Sequence, residues 1–329
     1  MATDSVSLDG ARNIFFDSQN VIPEGFTGIA SEVFFGAEGN GGDINITTGS
    51  LFATNGAQVS ASTAGQGNAG NIRITARDSI SFDGVANISS SVDDQVVNGV
   101  ISSGVTSEVL QLAEGNGGDI DITTGSLSLT NSARVSSATD GRGDAGSIFV
   151  READSVVLDN NSLISAQVNQ NAVTQQPSNI DIQTRALSLT NRSQVIARTS
   201  GQGDAGSILV GEAQDIFLSN SDISTESNSV GVAGDVTLTT ERLILDDNSQ
   251  VSAATVSSQG GGITLQGLDT LQVNNSLISA STQTGTAGKL TVNAADSVQL
   301  TGEGGLSVEA TNGGTAGDLT VTTQELQVN

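Results

Sequence analysis

Gly117-Gly118-Asp119-Ile120-Asp121-Ile122-Thr123-Thr124-Gly125-Ser126-Leu127-Ser128-Leu129-Thr130-Asn131 is the stretch whose reading decides the fold. Ile120 and Ile122 alternate with Asp119, Asp121 and Thr123. Leu127 and Leu129 alternate with Ser126 and Ser128. Just beyond, Ala133, Val135 and Ser137 alternate with Arg134, Ser136 and Ala138. Strict period-2 alternation over four to six residues marks a strand with one buried face. Three short strands are predicted, and helix signals are nearly absent.

The same unit recurs along the chain. Gly42-Asp43-Ile44-Asn45-Ile46 and Gly70-Asn71-Ile72-Arg73-Ile74 precede it; Gly146-Ser147-Ile148, Ser178-Asn179-Ile180, Gly206-Ser207-Ile208, Gly234-Asp235-Val236, Gly261-Gly262-Ile263, Gly288-Lys289-Leu290 and Gly317-Asp318-Leu319 follow. The period is about 28 residues, with one excess of about 20 between Ile72 and Ile120. Three strands, three corners and a fixed repeat describe one coil of a parallel β-helix, an all-β solenoid. Its inward Val, Ile, Leu and Ala stack into a narrow core. Roughly 11–13 coils are expected, stacked at about 4.8 Å. The whole of 1–329 is read as a single repeat domain.

Coils of two types alternate. One carries Thr-Gly-Ser-Leu or a relative (Thr123 to Leu127), the other Ala-Arg-Asp-Ser or a relative (Ala76 to Ile80). Insertions are expected near residues 17–38 and 93–114, as extra coils or as protrusions. An asparagine recurs between the second and third strands: Asn55, Asn131, Asn161, Asn191, Asn220, Asn248 and Asn275. Asn tolerates the left-handed conformation, and at one height in successive coils its side chains can bond one another in a ladder. These seven are read as a structural ladder of the corner.

Composition removes whole classes of function. The chain has 36 Asp+Glu against 11 Lys+Arg, a formal net charge of -25, and no Cys, His, Trp or Tyr. A disulfide framework, a thiolate zinc site and a Cys or His nucleophile are impossible. A uniformly acidic chain does not bind nucleic acid through a basic surface. No run of about 18 apolar residues exists to span a bilayer.

The quoted stretch, with Val135-Ser136 and Gly141 to Gly146, resembles the repeat region of cyanobacterial filamentous-haemagglutinin-like exoproteins. The resemblance covers nearly all of the chain. It implies a right-handed β-helix belonging to a two-partner-secretion passenger. Such a parent is exported, passed through an outer-membrane transporter and folded on the cell surface. The signal peptide and secretion domain of that family are not recognised here. The function implied is structural and adhesive, at the bacterial cell surface or secreted, toward a polysaccharide or receptor that the residues do not identify. The alternative is a non-catalytic carbohydrate-binding β-helix.

No catalytic residue, cofactor-binding residue or metal ligand is assigned. The acids lie scattered through repeated corners, with no Trp or Tyr for sugar stacking and no His as a proton shuttle, so no enzyme is expected. No cofactor is expected either. Calcium stays an open alternative at glycine–aspartate corners such as Asn116 to Asp119 and Asp140 to Asp144. Arg142-Gly143-Asp144 reads as one variant of a Gly-x-Gly-Asp/Asn corner, because its sisters are Gly65-Gln66-Gly67-Asn68 and Gly201-Gln202-Gly203-Asp204. Outward Ser60, Ser62, Ser136, Ser252 and Ser279 are expected as a solvent-facing hydroxyl row.

Overall fold

The computed structural model describes residues 5–9, 14–16, 27–92, 95–170 and 172–329. Every regular element among them is a β-strand. Two parallel sheets run the length of the molecule. One follows eleven levels from Ser5–Asp9 through Ile44–Thr54, Ile72–Asp83, Ile120–Thr124 and on to Leu319–Thr322; the other stacks ten short strands from Gly28–Ala30 to Gly305–Ala310. A β-solenoid of about ten coils results, followed by a half-coil formed by Leu319–Thr322 and Glu325–Val328. That is fewer than the 11–13 expected, because the excess residues do not form rungs of their own. At about 4.8 Å per coil the rod is roughly 50 Å long.

The first two predicted strands of each coil merge into one bent strand. In the quoted unit they stay separate, as Ile120–Thr124 and Ser126–Thr130. The bend accounts for the two coil types as far as Val236–Asp246, beyond which Ile263–Asn274 and Leu290–Thr301 both have 12 residues. Ile44–Thr54, Ile180–Thr190 and Val236–Asp246 have 11 residues, whereas Ile72–Asp83, Ile148–Asp159 and Ile208–Ser219 have 12. The register shifts where an 11-residue strand meets a 12-residue one, for example between Val150 and Ala153. Glu152 and Glu212 take positive φ there, the extra residue of a bulge.

The core is a single column. Ile120, Ile122, Leu129, Val135, Ile148, Val150, Leu158 and Ile164 are fully buried and stack on equivalents above and below. The glycine that opens each unit has its own reason. A methyl group on Gly70, Gly118 or Gly146 would overlap the carbonyl oxygen of the equivalent glycine one coil earlier. Glycine is there for close approach of two backbones rather than for an unusual φ.

The second insertion lies elsewhere than expected. Gly104–Val109, inside 93–114, is a regular rung paired to Gln58–Ser60 and Arg134–Thr139. The extra residues are an antiparallel hairpin, Val85–Val92 with Gln95–Ser102, whose free edge pairs with Ile14–Phe16. It replaces the asparagine corner of that coil. Gly84 turns the chain out at φ 77°. Ser103 brings it back, donating from its amide to Gly84 O at 2.9 Å and from Oγ to Asp83 O at 2.7 Å. Of the first insertion, residues 17–26 lie outside the described residues.

Candidate functional site

All seven predicted corner asparagines adopt the left-handed conformation, with φ between 45° (Asn275) and 63° (Asn248). Their side chains do not form a continuous asparagine-to-asparagine ladder, although Asn131 and Asn161 are joined through Asn160, which donates to Asn131 Oδ1 at 2.7 Å and accepts from Asn161 at 3.1 Å. Asn55 donates to Asp9, Asn131 to Asp83 and Asn191 to Asp159, each one rung away at 2.6–2.7 Å. The threonine preceding each asparagine donates to the same carboxylate oxygen: Thr54 to Asp9, Thr130 to Asp83, Thr190 to Asp159. The result is an Asp–Thr–Asn clamp, strongest as a charge-assisted contact. Hydrogen bonds from Thr190 and Asn191 hold the Asp159 carboxyl below its usual range. Inside the corner a buried serine column continues the pattern: the amides of Ser193, Ser221 and Ser249 donate to Oγ of Ser221, Ser249 and Ser276.

Two further ladders run along the glycine corners. The amides of Asn71, Asp119 and Ser147 donate to Oδ1 of Asp43, Asn71 and Asp119 at 2.7–2.9 Å. The series continues through Asn179, Ser207 and Asp235 to the amide of Gly262. Beside it, Asn40, Asn68 and Asn116 accept from the amides of Asn68, Asn116 and Asp144. Asp144 Oδ1 then accepts from the amides of Gln175 and Gln176 at 2.6 and 2.9 Å. The carboxylate of the Arg-Gly-Asp tripeptide is thus committed to the next coil, and Arg142 lies 3.8 Å from Glu114.

Of the five serines expected to face solvent, Ser60, Ser62, Ser136 and Ser252 are buried and Ser279 is half-buried. Ser136 is fully buried because Glu108 and Arg134 lie across it: its Oγ donates to Glu108 Oε1 at 2.9 Å and accepts from Arg134 at 2.8 Å. Ser60 is capped by Glu32 in the same way, at 2.7 Å. Small side chains in the middle of a sheet sit below longer neighbours on both sides.

One cluster was not foreseen. The register of the long-strand sheet sets Asn45, Arg73, Asp121, Phe149 and Asp181 side by side on five successive rungs, facing outward. Arg151 comes from the adjoining column. Its Nε lies 3.4 Å from Asp121 Oδ1, while Arg73 Nε lies 3.4 Å from Asp121 Oδ2, so one carboxylate is bracketed by two guanidinia. The Arg151 guanidinium also rests 4.8 Å from the centre of the Phe149 ring, a cation–π contact. Asn45, Arg73, Asp121, Phe149 and Arg151 line a depression of about 270 Å³ together with Asp43, Asn71 and Asp119; Asp181, one rung beyond Phe149, is not part of its lining. Asp181 Oδ1 is shielded from solvent with no hydrogen-bond partner among the described residues. Burial pushes the Asp181 carboxyl above its usual range, against the pull of Arg151 and Gln183. Further along the same face the column turns neutral, with Thr237, Thr264, Thr291 and Thr320 on four successive rungs.

Among the described residues no group of three or more acidic side chains comes together as a metal site. No protein-family model, no curated protein and no solved structure matches the chain.

Proposed function

We propose that this chain is a stiff structural and adhesive segment of a large secreted exoprotein of the filamentous-haemagglutinin-like type. It stands at the bacterial cell surface and works without catalysis. The parent reaches the surface through an outer-membrane transporter. The observation that supports this reading is the continuity of the ladders. A buried apolar column and several polar ladders run from coil to coil, so each coil is fixed to its neighbours at its corners as well as through its strands. Parallel strands paired on both sides leave open edges only at the two ends. The net charge of -25 keeps copies of such a rod apart. Length and stiffness are the properties this architecture supplies.

The test is surface display of the parent protein with coils 208–262 removed as a block, so that the Gly206-to-Gly261 repeat phase is kept and the Phe149 cluster is left in place. Attachment to the natural substratum is scored together with small-angle scattering of the purified segment. A shorter rod with reduced attachment is expected. A compact particle, or attachment indifferent to rod length, refutes the reading. The alternative, a carbohydrate-binding β-helix without catalysis, is favoured by one specific observation, the Phe149 cluster.

A further inference from the structure

The adhesive reading leaves open which face makes contact and with what. Many outward positions of the solenoid carry Thr, Ser, Gln and Asn, which suit solvation and β-structure alone, and elsewhere single Arg–Asp pairs such as Arg185–Asp154 and Arg242–Asp215 cross between rungs. Arg73, Asp121, Phe149, Arg151 and Asp181 depart from that pattern together, on consecutive rungs of one face. A purely structural cross-rung pair needs one arginine and one carboxylate. Here a single carboxylate has two arginines beside it, an aromatic ring lies on the next rung, and Asp121 Oδ1, in the lining of the depression, is shielded from solvent without a hydrogen bond. An unsatisfied buried polar atom in a cluster beside a depression calls for an explanation.

The chemistry of the lining narrows the ligand. Asp43, Asp119 and Asp121 face Arg73 and Arg151, so the depression is nearly balanced in charge. A polyanion is repelled by the acidic molecule around it. Among the described residues no group of three or more acidic side chains is placed to hold a metal ion, and Asp121 lies between two guanidinia. A neutral polyhydroxyl ligand fits. Its hydroxyls are donors and acceptors at once, matching carboxylate, amide and guanidinium groups, and its C–H face suits a half-buried ring. The column from Asn45 to Asp181 spans four steps of about 4.8 Å, roughly 19 Å along the rod. That step is close to the length of one sugar residue in an extended chain.

The geometry points to a binding site for a neutral polysaccharide on this face, with Phe149 against the C–H face of one sugar ring and Arg73, Asp121, Arg151 and Asn45 bonding the hydroxyls around it. The sugar chain lies along the rod axis, crossing the strands. This deepens the adhesive reading by giving it a ligand class and a face, and it rests on that reading only for its biological setting.

The experiment is affinity electrophoresis and calorimetry of the segment with a soluble (1→4)-β-glucan, a (1→3)-β-glucan, a mannan, and a sulfated galactan as the anionic counterpart. Phe149→Thr and Arg151→Gln are compared with the unaltered protein, and Thr264→Ala on the same face is the control. Phe149 and Arg151 point outward, and circular dichroism verifies that each variant is folded; were either to misfold, Arg73→Gln would take its place. Binding to at least one neutral glycan is expected, weakened tenfold or more by Phe149→Thr and by Arg151→Gln and unchanged by Thr264→Ala. No binding to any neutral glycan, preference for the sulfated one, or equal binding by folded Phe149→Thr overturns the inference. Release of reducing ends from a bound glycan overturns its non-catalytic form. A rod-shaped scattering profile without glycan binding sinks this inference alone, whereas a compact particle sinks the rod reading whatever the glycan result.

Discussion

Replacing Gly146 by alanine would set a methyl group against the carbonyl oxygen of Gly118, one coil earlier. The opposing atom is backbone, so no side-chain rotation relieves the overlap. Restoring ordinary van der Waals separation moves one rung by on the order of 1 Å. Three hydrogen bonds cross the same gap: Ile120 N to Ser147 O at 2.9 Å, Gly117 N to Asp144 O at 2.7 Å, and Ser147 N to Asp119 Oδ1 at 2.7 Å. A further 1 Å takes each beyond useful hydrogen-bond length. At about 1 kcal/mol net per bond, and more where a buried amide is left without a partner, the loss is about 3–5 kcal/mol. Because coils contact only their neighbours, the damage splits the rod near residue 146. Urea denaturation followed by circular dichroism, with limited proteolysis to locate the break, measures both effects. The matched control is Gly211→Ala, where a methyl group meets nothing within 4 Å. It should be neutral or stabilising by up to about 1 kcal/mol. Gly146→Ala within about 1 kcal/mol of the parent, with unchanged proteolysis, would refute the steric account of the glycine column.

Four other outcomes are expected. Val135→Asp places an unpaired charge at a fully buried position and should destabilise by several kcal/mol, abolishing cooperative unfolding at 37 °C; Gln58→Asp, at a partly exposed outward position, should change the midpoint little. Asp144→Asn should keep the melting temperature, since Asn116 does the same work one coil earlier, whereas Asp144→Ala, losing two acceptor contacts, should cost about 1–2 kcal/mol. The lowered Asp159 carboxyl contributes stability that is present above its unfolded value near 3.9 and is lost as pH falls through the folded value; Asp159→Asn should therefore flatten the acid limb of the stability curve, by about 0.5–1 kcal/mol after allowing for solvent screening. Asp181 has the opposite sign, because its raised carboxyl lowers stability as pH rises through the window above 3.9. Asp181→Asn should stabilise the protein at pH 7 by no more than about 1 kcal/mol, and the gain should fade on acidification; a constant gain at all pH would point to packing instead.

The 28-residue spacing and the period-2 alternation were enough to read the solenoid, because both are local signals repeated many times. The left-handed asparagines were legible for the same reason: few residues other than Gly tolerate positive φ as well as Asn. What escaped depends on register. The clamp at Asn131 needs Asp83, 48 residues away, and no local pattern pairs them. The Phe149 cluster draws on residues from Arg73 to Asp181, each unremarkable in its own strand, and it becomes visible only when rungs are set side by side. The hairpin was misplaced because Gly104–Val109 carries an irregular mix of residues that reads as insertion, while Val85–Val92 alternates like a rung. The covered serines follow from long neighbours leaning across short ones, which sequence periodicity does not encode.

The corner column has one more consequence. Read rung by rung it runs Asp9, Thr54, Asp83, Thr130, Asp159, Thr190, Ser219, Asp246, Asn274, Thr301, with no two carboxylates on neighbouring rungs. The glycine-corner ladder from Asp43 through Asn71, Asp119, Ser147, Asn179 and Ser207 to Asp235 obeys the same rule. Adjacent rungs lie about 4.8 Å apart, and a second rung brings like charges to roughly the screening length of physiological salt. From Asp9 to Thr190 the corner column is therefore spelled in pairs of coils. Deleting the Thr54 coil or the Thr130 coil alone would set Asp9 against Asp83 or Asp83 against Asp159, and copying the Asp83 coil alone would put its carboxylate on two neighbouring rungs, whereas copying the Thr54–Asp83 pair keeps the alternation. In that part of the rod the increment that keeps carboxylates apart is the two-coil unit, and an engineer lengthening it there should copy about 56 residues at a time.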